Sequence, residues 1–172
     1  MTRELQKIGK CAYSCIVDMV KALDVDYDRL SEVRERLEEI YDTLTDEELD
    51  DEEREELESE HEELTEELAE LDEQAGDCES TDDAEQRIQE DPLSLEVRTD
   101  WHSPGDDSSA TEYRLLLGTG GPAVRIIGTL GQYGEPDSAE LQAQNWGTPW
   151  ETYEGADEDI LLQYASRFYY GE

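Results

Sequence analysis

The sequence predicts an α+β protein, in which an acidic, coiled-coil-like helical arm precedes a small antiparallel β-sheet and a C-terminal helix. In the first half of the chain, apolar residues recur every three or four positions, as on the buried face of a helix. After Pro92 they alternate with polar residues, as in a half-buried strand. Residues 92–172 also contain all three Trp, six of the nine Tyr and the only Phe, enough to build a core. We therefore predict a helical arm over 1–76, a loop and short helix over 77–91, and the sheet domain over 92–172.

The first predicted helix, residues 3–23, has one narrow apolar face and little net charge, so we expect it to pack inward. The apolar positions are Leu5, Ile8, Cys11 or Ala12, Cys15, Met19 and Leu23. Cys11 and Cys15 are therefore interpreted as buried structural thiols. With Cys78 the chain has three cysteines, which leave at least one unpaired and indicate a cytosolic protein with reduced thiols. We expect neither a secretory leader nor a membrane span, because no apolar run is long enough.

The remainder of the arm is predicted as two further helices. The second carries Leu30, Val33, Leu37, Ile40 and Leu44 at the spacing of a two-helix seam. A capping box of Thr45 and Glu48 predicts a break or kink after it. The next helix has one thin apolar stripe formed by Leu57, His61, Leu64, Leu68 and Leu71, and it ends with Gly76 as C-cap. Thr81 is predicted to cap a short helix that stops before Pro92.

Four strands and one helix are predicted in the sheet domain. The strands lie at 93–97, 113–117, 123–130 and 139–146, and the last helix begins near Asp157. A glycine-rich hairpin turn over 118–122 joins the second and third strands, and another turn covers 131–137. Because Trp146 and Trp150 flank a turn, where two rings are hard to bury together, one of them is a candidate anchor for a protein interface.

Negative charge is concentrated in the arm. Residues 42–91 contain 26 acidic and two basic residues, a net charge of −24 out of −36 for the chain. Like charges one turn apart destabilise a helix, so this run favours a surface that a basic partner recognises. The same charge argues against direct binding to nucleic acid or to anionic membranes, both of which need Lys and Arg.

The acidic helix resembles one edge of a DNA duplex in charge and in scale. Carboxylates three or four residues apart, as in the rows Glu52, Glu56, Glu60 and Glu63, Glu67, Glu70, lie about 5–6 Å apart. The whole helix would be about 40 Å long. The candidate partner-binding carboxylates are Glu47, Glu48, Asp50, Asp51, Glu52, Glu53, Glu55, Glu56, Glu58, Glu60, Glu62, Glu63, Glu66, Glu67, Glu70, Asp72 and Glu73.

Three alternative causes of the acidity stay open. The helix could be an acidic interaction helix that does not imitate nucleic acid, or a solvated face that only confers solubility. Adaptation to high salt is the third, since the chain has three Lys against ten Arg. Salt adaptation should spread acidic residues over the whole surface, however, and residues 101–150 contain only six.

The sequence predicts no metal site, no cofactor and no enzymatic activity. Asp24, Asp26, Asp28, Glu32 and Glu35 match positions 1, 3, 5, 9 and 12 of a calcium loop, but Arg29 replaces the glycine at position 6, which favours a simple Asp-capped turn. The three cysteines and His61 could nominally bind zinc, yet no CxxC pair is present. No nucleophile elbow occurs, and the Gly118 to Gly121 segment lacks the Lys of a phosphate-binding loop.

Three sequence strings carry a family resemblance: GTGGPAVRI at 118–126, NWGTPW at 145–150 and RFYYGE at 167–172. Together with the segment that begins DCESTDDAEQRIQEDPLSLEV, they make residues 78–172 similar to a family of short acidic proteins of tailed phages and prophages, whose function is unassigned. By its charge the chain also resembles the acidic DNA mimics that phages use as anti-CRISPR or anti-restriction inhibitors.

Together these resemblances imply a protein in the cytoplasm of an infected bacterium. We expect it to block the DNA-binding groove of a basic DNA-binding protein, or of a CRISPR or restriction complex, with its acidic helix. An acidic coiled-coil adaptor or chaperone for a basic protein, without competition with DNA, is the alternative. Homodimerisation is a further option in either case.

Overall fold

The computed structural model describes residues 2–45, 49–103 and 109–171, and it has the predicted α+β fold. Its elements in chain order are α1 (Arg3–Leu23), α2 (Tyr27–Leu44), α3 (Asp51–Ala75), α4 (Thr81–Glu90), β1 (Ser94–Arg98), β2 (Glu112–Gly118), β3 (Ala123–Thr129), β4 (Glu140–Gln144), β5 (Glu151–Thr152) and α5 (Glu158–Ala165). No helix among the described residues is both long and apolar enough to span a membrane.

The chain divides into two compact units. The sheet unit comprises Met1–Val20 and Glu85–Glu172, and the helical unit comprises Lys21–Ala84. This division differs from the predicted boundaries at residues 76 and 92, because most of α1 belongs to the sheet unit. A near-neutral amphipathic helix can pack against a sheet as well as against other helices, and its sequence does not distinguish the two.

The sheet unit contains five antiparallel strands in the order β1-β2-β3-β4-β5. Leu95, Leu115, Ile126 and Leu141 lie side by side across β1 to β4, and the last three are fully buried. The opposite face carries most of the charged residues, with Arg114 beside Glu96 in register. In β1 and β4 this alternation is visible in the sequence as the period-2 pattern that predicted them. The two-residue strand β5 was not predicted, since it is too short to show a period.

Three tyrosines, Tyr113, Tyr164 and Tyr170, are part of the mainly aliphatic core of the sheet unit. The rings of Tyr113 and Tyr170 lie 4.8 Å apart, and both are buried. Each buried hydroxyl has a partner: Tyr113 donates to the carbonyl of Ser138, Tyr170 to that of Ala165, and Tyr164 to the Asp91 carboxylate at 2.5 Å. Burial raises the pKa of all three phenols.

The predicted burial of the α1 cysteines is wrong. Cys11 and Cys15 are exposed, and only Cys78 is buried. The buried α1 side chains include Leu5, Ile16, Met19 and Val20, so the apolar face is rotated relative to the prediction. Periodicity alone could not decide between Cys15 and Ile16, because adjacent residues border the same helical stripe.

The helices end near the predicted positions, but the N-terminal caps of α3 and α4 are residues other than those predicted. The predicted break near Thr45 is present. However, Thr45 is the C-cap of α2 and Asp50 is the N-cap of α3, so the prediction of Thr45 as an N-cap is wrong. Glu48, the second residue of the predicted capping box, lies outside the described residues. Gly76 ends α3 with a φ of 59°, as predicted. For α4 the capping hydroxyl is that of Ser80, not Thr81: it accepts a hydrogen bond from the amide of Asp83.

Candidate partner-binding surface

The helices α2 and α3 form an antiparallel pair, which we call the acidic hairpin. Their direction follows from two bridges, since Arg29 reaches Glu67 whereas Arg36, seven residues later, reaches Glu60, seven residues earlier. On α2, Leu30, Val33 and Ile40 are buried. The facing stripe of α3 is formed by Leu57, His61, Leu64, Leu68 and Leu71, all half-buried, and by the buried Ala75. The thin stripe predicted from the sequence is therefore the side of α3 that packs against α2.

Three arginines of α2 bind carboxylates of α3. The Arg29 guanidinium donates to both Glu67 oxygens at 2.7 Å, and that of Arg36 donates to both Glu60 oxygens at 2.7 and 2.9 Å. Arg34 donates to Asp72 at 2.7 Å. Two-point Arg–carboxylate contacts of this kind fix geometry as well as charge.

Two of these arginines also bind a second carboxylate on their own helix. Arg29 contacts Glu32 at 3.5 Å, and Arg36 contacts Glu39 at 3.1 Å, each three residues further along α2. Arg29 and Arg36 therefore each bridge two carboxylates, one from each helix. Their hydrogen bonds hold the pKa of Glu67 and Glu60 below the ordinary glutamate range, so both stay ionised.

The structure sorts the seventeen predicted site residues into four groups. Glu47 and Glu48 lie outside the described residues. Asp50 accepts a hydrogen bond from the Glu53 amide as the N-cap of α3. Glu60, Glu67 and Asp72 are occupied by the arginines of α2. The other eleven are exposed and, within the described part of the chain, have no side-chain hydrogen bond or ion pair: Asp51, Glu52, Glu53, Glu55, Glu56, Glu58, Glu62, Glu63, Glu66, Glu70 and Glu73.

The predicted rows of carboxylates change accordingly. Each contains one residue, Glu60 or Glu67, that faces α2 and is bound to arginine. At 100° per residue, nearly all the exposed carboxylates of α3 lie on the half of the helix that faces away from its apolar stripe, and five of them form a set that we call the outer row. The outer row consists of Glu55, Glu58, Glu62, Glu66 and Glu73.

The heptad spacing of Arg29 and Arg36 in the sequence is a signal for the bridges to α3, and counting charges does not detect it. Arg29 and Arg36 are seven residues apart and border the Leu30 and Ile40 seam, which is the position of interhelical ion pairs in a coiled coil. That spacing could have predicted the bridges. A charge count over residues 42–91 cannot reveal them, because the compensating residues lie on the preceding helix.

The helical unit also carries most of the net charge. Lys21–Ala84 contains 30 acidic and five basic residues, a net charge of −25. The sheet unit, although it is the longer of the two, contains 19 acidic and eight basic residues, a net charge of −11. The acidic hairpin is therefore the dominant source of negative potential.

The described residues contain no group of three or more His, Cys, Asp or Glu side chains placed to hold a metal ion. The calcium-loop pattern does not form a loop, because α1 ends at Leu23 and α2 begins at Tyr27. Asp26 instead caps α2 by accepting the amide of Arg29, as in the favoured interpretation of an Asp-capped turn.

No protein family, no curated protein and no solved structure matches the chain. The candidate surface is therefore defined by its own geometry and charge.

Proposed function

We propose that the protein is a DNA mimic that inhibits a bacterial defence system. Its acidic hairpin would occupy the DNA-binding groove of a basic protein, a CRISPR complex or a restriction enzyme, in the cytoplasm of an infected cell. The defence target and the phage origin rest on the sequence resemblances of residues 78–172 and of the charge pattern. The mimicry rests on the geometry of α3.

The spacing of free charge on α3 is the observation that supports mimicry most directly. The helix has 25 residues and is therefore about 38 Å long. Its eleven exposed carboxylates that have no partner among the described residues then occur about every 3.4 Å along the axis, which equals the axial spacing of phosphates in one DNA strand. Rows of Lys and Arg that bind a DNA strand would thus meet a similar density of negative charge.

The distribution of arginine supports the same function. Arg29, Arg34 and Arg36 compensate the side of α3 that faces α2 and so stabilise the hairpin. The outward carboxylates form no ion pair within the described part of the chain, and Arg54 is the only Lys or Arg that α3 itself carries. A helix selected for stability alone would have Lys or Arg one turn from its glutamates. An uncompensated outer face instead favours a basic partner.

Competition with DNA tests the proposal. The immobilised full-length protein is exposed to a bacterial lysate, and a retained basic protein is challenged with excess duplex DNA. We expect the duplex to release it, and we expect the purified partner to lose labelled duplex when the protein is added. Retention in excess duplex would contradict mimicry and fit the acidic adaptor instead.

Two variants with the same change in net charge locate the surface. The first replaces the outer row by glutamine: Glu55→Gln, Glu58→Gln, Glu62→Gln, Glu66→Gln and Glu73→Gln. The matched control neutralises five exposed carboxylates of the sheet unit: Glu4→Gln, Asp18→Asn, Asp100→Asn, Asp137→Asn and Glu154→Gln. We expect the outer-row variant to bind at least about tenfold more weakly, and the control to bind like wild type. Equal losses would mean that net charge alone attracts the partner.

A further inference from the structure

The first strand of the sheet, β1, exposes apolar side chains on the face that is buried elsewhere. Leu95 and Val97 are neighbours in register of Leu115 and Tyr113, which are 0% and 3% exposed. Leu95 and Val97 themselves are 36% and 46% exposed. Just outside the strand, Leu93 and Trp101 are 60% and 104% exposed. The apolar face of the sheet therefore continues to its edge without a cover.

The backbone of β1 is also open on one side. Among the described residues β1 pairs with β2 only, and the carbonyl of Arg98 accepts the amide of Thr111 on that side. Successive residues of a strand direct their backbone groups to opposite edges, so, counted from Arg98 inside the strand, the amide and carbonyl of Val97 face the open edge. The amide of Leu93 donates to Leu116 of β2, but Leu93 precedes the regular strand. Natural proteins rarely leave a flat, apolar edge strand unpaired, because it pairs readily with another chain.

The opposite face of β1 shows which chain would fit. Glu96 forms an ion pair with Arg114 on β2, and Arg98 forms one with Glu112. If a second β1 lies antiparallel with Val97 opposite its own copy, Glu96 faces Arg98 of the second copy, and Arg98 faces its Glu96. Across the β2 and β1 strands of both copies, the side chains in one row are then Glu112, Arg98, Glu96 of the second copy and Arg114 of the second copy, which alternate in charge. Opposite charges on facing strands stabilise such a pair, and like charges destabilise it.

We propose that two copies of the chain associate through their β1 strands in this register, forming one continuous ten-stranded sheet. On the apolar face, Val97 meets Val97, Leu95 meets Thr99, and Leu93 meets Trp101 of the second copy. The neighbouring register places Glu96 opposite Glu96 and is disfavoured by charge. The interface is self-complementary, as a two-fold axis requires. It involves the sheet unit alone and does not depend on the function of the acidic hairpin.

The mass in solution tests the association. Light scattering should give twice the chain mass of 19.7 kDa at micromolar concentration. Val97→Lys sets two like charges against each other and should raise the dimer dissociation constant on the order of tenfold or more. Arg98→Glu should do the same by setting Glu96 against a glutamate. Tyr133→Lys alters an exposed apolar residue outside β1, 87% exposed, and should leave the dimer intact. A monomeric wild type, or a dimer that both β1 variants leave unchanged, would overturn the proposal.

Cysteine cross-linking tests the register in a protein that carries Cys11→Ser and Cys15→Ser, so that no exposed native thiol remains among the described residues. Val97→Cys should form an intermolecular disulfide, since hydrogen-bonded partners have Cα atoms about 5.5 Å apart, within the range that disulfides span. Leu95→Cys should not, because its copy lies four residues away, about 13 Å along the strand. Cross-linking through Glu96→Cys without cross-linking through Val97→Cys would instead show the neighbouring register, and the proposed one would be rejected.

Discussion

Neutralising the outer row should make the acidic hairpin more stable. Among the eleven exposed carboxylates of α3, ten pairs are three or four residues apart and repel each other. Eight of these pairs include an outer-row residue: Asp51–Glu55, Glu58–Glu62, Glu62–Glu66, Glu66–Glu70, Glu52–Glu55, Glu55–Glu58, Glu63–Glu66 and Glu70–Glu73. Each like-charge pair costs about 0.2–0.5 kcal/mol. Replacing the five outer-row glutamates by glutamine, which has a similar helix propensity, should therefore add about 1.5–4 kcal/mol to the free energy of unfolding.

A gain of this size is measurable as a melting temperature. For a unit of 60–100 residues, 1 kcal/mol corresponds to about 4–8 °C, so the transition of the helical unit should rise by at least about 6 °C at low salt. Circular dichroism at 222 nm reports the helical transition, and hydrogen exchange of α3 peptides assigns it to the hairpin. Salt at molar concentration should raise the wild-type midpoint and shrink the difference between the two proteins.

The control with five neutralised carboxylates in the sheet unit fixes the interpretation. Its helical transition should stay close to that of wild type, because the repulsion that matters is local to α3. An outer-row variant that melts at the wild-type temperature or below would refute the reasoning. The carboxylates would then already be compensated, by bound cations or by contacts with another chain.

Three further predictions concern the interior contacts. Arginine lowers the pKa of Glu60 and Glu67, so their bridges contribute stability above about pH 4.5 and lose it as the pH falls through the folded-state pKa values. In denaturant titrations, the stability difference between wild type and the Glu60→Gln, Glu67→Gln double variant should therefore shrink on acidification. Tyr164→Phe removes the hydroxyl that donates to Asp91, so urea unfolding should show a loss of about 1–2 kcal/mol in the sheet unit. A thiol reagent counted by mass spectrometry should modify two cysteines in the native protein and a third, Cys78, only after unfolding.

Local sequence patterns predicted most of the secondary structure. The N-terminus of α5 lies where Asp157 was expected to begin it, because an Asp N-cap followed by an apolar helical face is a strong signal. The strands β1 and β4 were predicted because apolar and polar residues alternate over at least five positions, whereas β2 and β3 were predicted from short apolar runs on either side of a glycine-rich turn. The strand β5, Glu151–Thr152, has only two residues, so no alternation could reveal it. Its place is fixed by pairing with β4 instead.

Features that depend on two distant segments were predicted poorly. The Arg29 bridge to Glu67 joins residues 38 positions apart, and the charge count over residues 42–91 could not reveal it because Arg29 lies outside that range. The same limit explains Cys11 and Cys15, whose exposure depends on what packs against α1 rather than on α1 itself. It also explains the open edge of β1, since the alternation of Leu95 and Val97 predicts a buried strand face whether or not a neighbour covers it.

The partition of charge between the two units argues against salt adaptation as a sufficient cause. If acidic residues served only to hold water and ions at high salt, both units should carry them in proportion to their length. Instead the helical unit, the shorter of the two, carries a net charge of −25, and the sheet unit carries −11. Within the hairpin, Arg29, Arg34 and Arg36 bind carboxylates of the facing helix, whereas no outer-row carboxylate has an ion pair among the described residues. Selection for stability would reverse that placement or add lysines outside. The outer row thus weakens the helix that displays it. The outer-row variant should therefore gain stability, and a loss of binding to the proposed basic partner in the same variant would support a binding function for this face, because solubility or salt adaptation does not predict that loss.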